Sequence, residues 1–239
     1  METARAYLSE VARRLGDPAV ASSLQPAVEV VLASVRAGGL TYAFGTGHSH
    51  LLALELHYRA GGPAFVVPVL DESLMLHGGA LASTSREREV GIAEQVLRRY
   101  PVTERDVLLV ISNSGVNAVP IEAAKVGRAA GARIVALTSV HYSSTIANGR
   151  EKIADLADVV IDNKLPPGDA VTWLPGTALR AGPASTAIGA ALLQALFAEV
   201  AARLAVDGPP PVYLSANLPG AEGHNTEVLA QFGPRNPHL

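Results

Sequence analysis

Short apolar runs rich in β-branched residues alternate along this chain with longer stretches in which apolar side chains recur every third or fourth position. The runs at 40–44, 64–69, 107–111, 133–138 and 159–161 predict five buried strands, because a strand covered on both faces has no polar side to alternate with. The longer stretches predict helices. Residues 4–15 and 22–36 come first, the second with Leu24, Val28, Val31, Leu32 and Val35 on one face and Gly38 and Gly39 as its stop. Further helices are expected from His48 or Ser49 to residue 59, in two pieces over 71–99 divided at Gly78 and Gly79, and from a first turn containing Pro120 to near Gly131. A last one covers 183–206, where Ile188, Leu192, Leu196 and Val200 share a side. The proline- and glycine-rich segment 163–182 reads as a long loop, and no clear element follows residue 206.

Strands that alternate with helices argue for an α/β fold, a three-layer αβα sandwich around a five-stranded, parallel, doubly wound sheet. Residues 1–38 read as an N-terminal helical extension, 39–206 as the binding domain and 207–239 as a tail that could act as a lid.

Composition narrows the partners. The 239 residues are 49% hydrophobic, ample for a core, and carry a formal charge of -3 with a pI near 6.2. That balance supplies no broad basic field, so nucleic acid and anionic membrane are not expected partners. The absence of cysteine excludes disulfides, thiolate metal sites and a thiol nucleophile, and agrees with a reducing cytoplasm. The start of the chain lacks the basic-then-apolar order of a signal peptide. The most apolar helix is interrupted by Gln194 and closed by Glu199 and Arg203, too early to span a bilayer. A soluble, cytoplasmic protein is expected. The charged run 86–89 is read as a solvated face.

The chemistry lies where strands end. In an open parallel sheet, ligands bind in the crevice outside the carboxyl ends of the strands. Three polar loops qualify: 45–50 with Gly47, His48 and Ser49; 112–117 with Ser112, Asn113, Ser114 and Asn117; and 138–144, opening with Thr138 and Ser139. The second is the most informative, since a β-branched strand breaks into small hydroxyl and amide side chains around Gly115 and a helix begins. Free amides and the positive end of a helix dipole there suit a phosphate without any lysine. A dinucleotide fingerprint fails after Gly45 and Gly47, because Leu51 or Leu52 stands where its third glycine belongs, and no Gly-x-x-x-x-Gly-Lys-Ser/Thr loop occurs. His48 and His50 are two apart but lack a third convergent ligand, so no metal and no cofactor are expected.

The pair of loops, Gly-Thr-Gly-His-Ser at 45–49 and Ser-Asn-Ser-Gly-Val-Asn at 112–117, resembles the sugar isomerase, or SIS, domain superfamily, whose members bind phosphosugars. The likeness spans roughly residues 40–204 and implies the αβα fold. It also implies a phosphate site lined by Ser49, Ser112, Ser114 and Asn117. Asn117 departs from the Ser or Thr more common in the family.

Chemistry on such a sugar begins at the C2 proton of the open-chain aldehyde, which needs a carboxylate or imidazole within hydrogen-bond reach. Glu55, on the helix opened by the first loop, is one candidate; its spacing also suits a surface pair with Arg59. Glu72 and His77 after the second strand are others, and His224 in the tail could contribute, in related folds from a partner subunit. The favoured reaction is elimination of the C3 substituent from a hexosamine 6-phosphate, most plausibly N-acetylated. An aldose to ketose isomerase and a phosphosugar sensor without turnover are the alternatives. The apolar faces of the N-terminal helices and of the helix at 183–206 suggest a homodimer.

Overall fold

The computed structural model describes residues 1–239. Strands β1 (Thr41–Gly45), β2 (Val66–Val69), β3 (Val107–Ile111), β4 (Arg133–Thr138) and β5 (Val159–Asp162) form one sheet in the order β2-β1-β3-β4-β5, every pair parallel. β1, β2 and β3 are buried at every position, which explains their unbroken apolar runs. The register pairs Thr41 with both Val66 and Val107, so the three strands end level and their carboxyl-end loops leave from one rim.

Helices close both faces. α1 (Glu2–Leu15) and α2 (Pro18–Ser22) lead into α3 (Leu24–Arg36), which with α4 (His48–Glu55) and α10 (Ser185–Leu204) covers one face. α6 (Ile92–Leu97), α7 (Ala118–Ala129) and α9 (Ile153–Leu156) cover the other. α5 (Ala80–Arg86) and α8 (Val140–Ile146) sit in the loops at the rim. α10 is long and apolar enough, by length and composition, to cross a membrane, yet half of its apolar window is buried, with Ile188, Leu192, Leu196 and Val200 in the core. It is a core helix, apolar on most sides because α1, α3 and α4 pack on it and its Phe197 meets Phe65 beside β2.

Three segments differ from the expected elements. The stretch 163–182 is not one loop: it holds an antiparallel hairpin of β6 (Ala170–Trp173) and β7 (Arg180–Pro183). Strands of four residues flanked by proline and turned at Gly176 are too short to show a period. The tail contains α11 (Ala221–Phe232), whose Phe232 packs edge-on to Phe65 with ring centroids 6.4 Å apart. Only Ala221, Val228 and Phe232 of α11 are buried, so its apolar stripe is too sparse to read. The region 71–99 is also more broken than expected, with short 3-10 turns at Glu72–Leu74 and Leu76–Gly78 before α5 and α6.

Asp106, just before β3, ties the amino-terminal edge together. Its carboxylate accepts from the N–H of Leu40 at 2.8 Å and from the N–H and hydroxyl of Thr103 at 2.7 and 2.8 Å, and it pairs with the Arg235 guanidinium from the tail. The tail is therefore anchored at the end of the sheet opposite the polar loops.

Candidate functional site

β1 is the switch point of the sheet. From it the chain crosses to β2 on one side and returns to β3 on the other, so the loops after β1 and β3 part and leave a crevice. A cleft of about 260 Å³ opens there, lined by Thr46, Gly47, His48 and Ser49 from the first loop and by Ser112, Asn113, Ser114 and Asn117 from the second. All seven binding residues expected from these two loops thus meet in one space. Leu76, Ser83, Thr84 and Glu87 form one wall, and Tyr142, Asp169 and Ser185 another.

The first loop turns sharply enough to require glycine. Gly47 has φ +54° and ψ −127°, a conformation side chains avoid, and it presents its N–H to the Leu74 carbonyl at 2.9 Å while α4 starts with His48. In the second loop the Ser112 hydroxyl accepts from the N–H of Gly115 at 3.1 Å, which curls the chain. The hydroxyl proton of Ser112 is left to donate, and Ser112 is only 6% exposed.

Asn113 has its orientation set by a relay. The Leu165 N–H donates to Asn163 Oδ1 at 3.1 Å, so the Asn163 amide nitrogen donates to Asn113 Oδ1 at 3.0 Å. That leaves Asn113 Nδ2 buried, with no acceptor among the described residues. A shielded donor without a partner costs stability unless a ligand supplies the acceptor.

α7 contributes less than a helix start normally does. The Asn117 side chain does not cap it, Val119 donates its N–H to the Glu87 carbonyl at 3.1 Å, and Pro120 has no N–H. The donors left on this loop are the Ser112 and Ser114 hydroxyls, the Asn113 amide and the amides of the loop itself.

Glu87 is the residue the sequence reading missed. Arg88 and Glu89 of its charged run are exposed, but the Glu87 side chain is only 18% exposed. It accepts from the Thr46 hydroxyl at 2.8 Å and from Asn117 Nδ2 at 2.9 Å, with the Arg88 guanidinium 3.7 Å away. The turn that carries it is stapled to α7, where Glu122 accepts from the N–H groups of Gly91 and Ala93, each at 2.9 Å. Glu87 is thus a carboxylate held between the two loops by neutral donors. Gly79 and Gly91, both at positive φ, bracket its segment and were the one local hint of a constrained turn.

The cleft's other carboxylate is engaged. Asp169 accepts from the N–H of Ser185 at 2.8 Å and of Ala184 at 3.2 Å and from the Ser185 hydroxyl at 2.6 Å, capping α10.

The remaining candidates lie elsewhere in the single chain. Glu55 pairs with Arg59 and accepts from Gln194 at 3.3 Å, and the Glu72 side chain is 81% exposed with His77 3.9 Å from it. None of the three lines the cleft. The His224 ring meets the Val212 carbonyl at 2.8 Å, and Val212 bridges Pro63 at the amino end of β2, the far edge of the sheet. Thr138 and Ser139 are fully buried and act from behind: the Thr138 hydroxyl donates to the Asn113 carbonyl at 3.3 Å, and Ser139 donates to the Leu165 carbonyl at 2.6 Å while capping α8. Among the described residues, no group of three or more His, Asp or Glu is placed to hold a metal.

The UPF0309 protein of Brucella canis is 51% identical over 235 residues, 98% of this chain and 97% of its own, and that of Brucella ovis is equally similar. A phosphoheptose isomerase from Francisella tularensis superposes with a TM-score of 0.50 at 14% identity, over 82% of this chain and 96% of its own. At that identity the superposition speaks for the fold alone. A family model described as the SIS domain matches residues 4–139, more than half of the chain and both loops of the cleft, and the chain belongs to that family.

Proposed function

We propose that this protein is an enzyme acting on a phosphorylated amino sugar, a hexosamine 6-phosphate with or without an N-acetyl group, by removing the C2 proton and expelling the C3 substituent. The reading rests on one observation: a carboxylate, Glu87, is held by neutral donors in the same cleft as the unsatisfied donors of the 112–117 loop. Phosphate at the loop leaves the sugar carbons to extend along the cleft towards Glu87. That carboxylate takes the C2 proton as a general base, and the hydroxyls and amides lining the cleft stabilise the charge on the enolate oxygen; the enolate electrons then form the C2–C3 double bond as the C3–O bond breaks, and the departing oxygen takes up the proton that Glu87 removed. The assignment moves the base from Glu55 and Glu72 to Glu87.

Proton NMR of glucosamine 6-phosphate and its N-acetyl derivative with the protein in deuterated water tests this. Loss of the C2 signal with new vinylic resonances is the expected result. C2 exchange with ketose formation would make the protein an aldose-ketose isomerase, and saturable binding without exchange would make it a sensor. A homodimer through the N-terminal helices is part of the proposal, motivated by α1, none of whose residues is fully buried and whose Leu8 is 66% exposed. Light scattering at micromolar protein should give twice the chain mass.

A further inference from the structure

We infer that the sugar carries a free, protonated amine rather than an acylated one; this deepens the phosphosugar reading and rests on it. No lysine or arginine lines the cleft, while two carboxylates, Glu87 and Asp169, do. A phosphomonoester brings close to two negative charges at neutral pH. Asp169 is compensated by the first amides of α10 and the Ser185 hydroxyl. Glu87 is held by a hydroxyl and an amide, which stabilise its charge without cancelling it, and the Arg88 guanidinium at 3.7 Å is 56% exposed and screened by water.

A dianionic sugar phosphate placed beside Glu87 therefore meets repulsion that no residue of the cleft offsets. An ammonium on the sugar removes it. The geometry of the sugar makes Glu87 the partner: the C2 amine and the C2 hydrogen share one carbon, so a carboxylate in reach of the hydrogen is in reach of the amine. The donors left open on the second loop, the Ser112 hydroxyl and Asn113 Nδ2, suit the phosphate, and neither carries a charge.

Calorimetric titration of the full-length protein with glucosamine 6-phosphate, N-acetylglucosamine 6-phosphate and glucose 6-phosphate at low ionic strength tests the inference. Glucosamine 6-phosphate should bind about tenfold to a hundredfold more tightly than the other two, as expected for one charge-assisted contact. The margin should shrink in salt and vanish in Glu87→Gln, with all three sugars still bound. Equal affinities, or a preference that survives Glu87→Gln, would overturn the inference and leave the phosphosugar reading intact. Failure of all three to bind would overturn both.

Discussion

Asn117 and Glu87 join the phosphate loop to the proposed base: the Asn117 side-chain amide donates to Glu87 Oε1 at 2.9 Å, and two residues further on Val119 donates its N–H to the Glu87 carbonyl at 3.1 Å. The second loop and the carboxylate are thereby tied into one unit, so in the proposed function a sugar seated by its phosphate on this loop would have its reacting carbons at a fixed distance from Glu87.

Activity should follow Glu87 and not the carboxylates named from sequence. Glu87→Gln should lower turnover by about a hundredfold or more with the affinity for phosphosugars that lack a free amine largely kept, whereas Glu55→Gln and Glu72→Gln should stay within about twofold of the parent. Asn117→Ala and Thr46→Val, which each free one side of Glu87, should cost about tenfold apiece. Single-turnover rates beside titration calorimetry separate the two effects. A collapse of turnover in Glu55→Gln alone would sink the assignment.

The loop itself depends on Gly115. Its φ of +63° is strained for any side chain, and a Cβ there would stand 2.8 Å from the Thr138 hydroxyl and 3.2 Å from Ile153. Gly115→Ala should therefore cost about 2 kcal/mol of stability and weaken phosphosugar binding as well, because the Ser112 turn closes on the Gly115 N–H. Urea midpoints with and without added phosphosugar would check both. An unchanged midpoint would show that the loop adapts.

How much of this was legible beforehand follows from how far each feature is local. β3 and β4 were bounded correctly from their apolar runs alone, and a crevice at the carboxyl ends of the strands followed from strand and helix alternation, while its place at β1 needed the strand order. The seven loop residues converge as expected because each is fixed by a strand end next to it. Thr138 and Ser139 sit on the right loop, but their hydroxyls turn back onto the Asn113 and Leu165 carbonyls, a choice made by tertiary neighbours. Glu87 was hidden for the same reason. Nothing in Arg-Glu-Arg-Glu distinguishes its second residue until Thr46, forty-one positions earlier, and Asn117, thirty later, come to meet it.

At the other end of the sheet, Asp106 and Arg235 should carry the tail. Burial alone would raise the Asp106 pKa, but the Arg235 guanidinium together with the Leu40 and Thr103 donors outweighs it and holds the carboxyl below its ordinary value. A lowered folded pKa means stability that is present above the unfolded value and is lost as pH falls through the folded one. Asp106→Asn should cost about 3 kcal/mol near neutrality, and its deficit relative to the parent should narrow in acid below about pH 4. Denaturant titrations at both pH values would measure it. A constant deficit would mean that packing, not charge, is what the substitution removes.

His50 gives the fold a second acid response, of the same sign and in a higher pH window. It is 2% exposed on α4, its Nε2 has no hydrogen-bond partner among the described residues, and burial pushes its pKa down to about 4 from 6.5. Between those two values only the unfolded chain takes up the proton, so stability should fall as pH drops through that window and stop changing on this account below it. His50→Leu removes both the titration and the unsatisfied nitrogen. It should lie within about 1 kcal/mol of the parent above pH 7 and be about 2–3 kcal/mol more stable than the parent, relative to that baseline, near pH 4.5. Urea unfolding from about pH 7.5 to about pH 4 resolves the difference, since the carboxylates contribute equally to both proteins. Parallel curves would show that the ring keeps an ordinary affinity for its proton in the folded state, and hence that α4 opens to water far more readily than its burial implies.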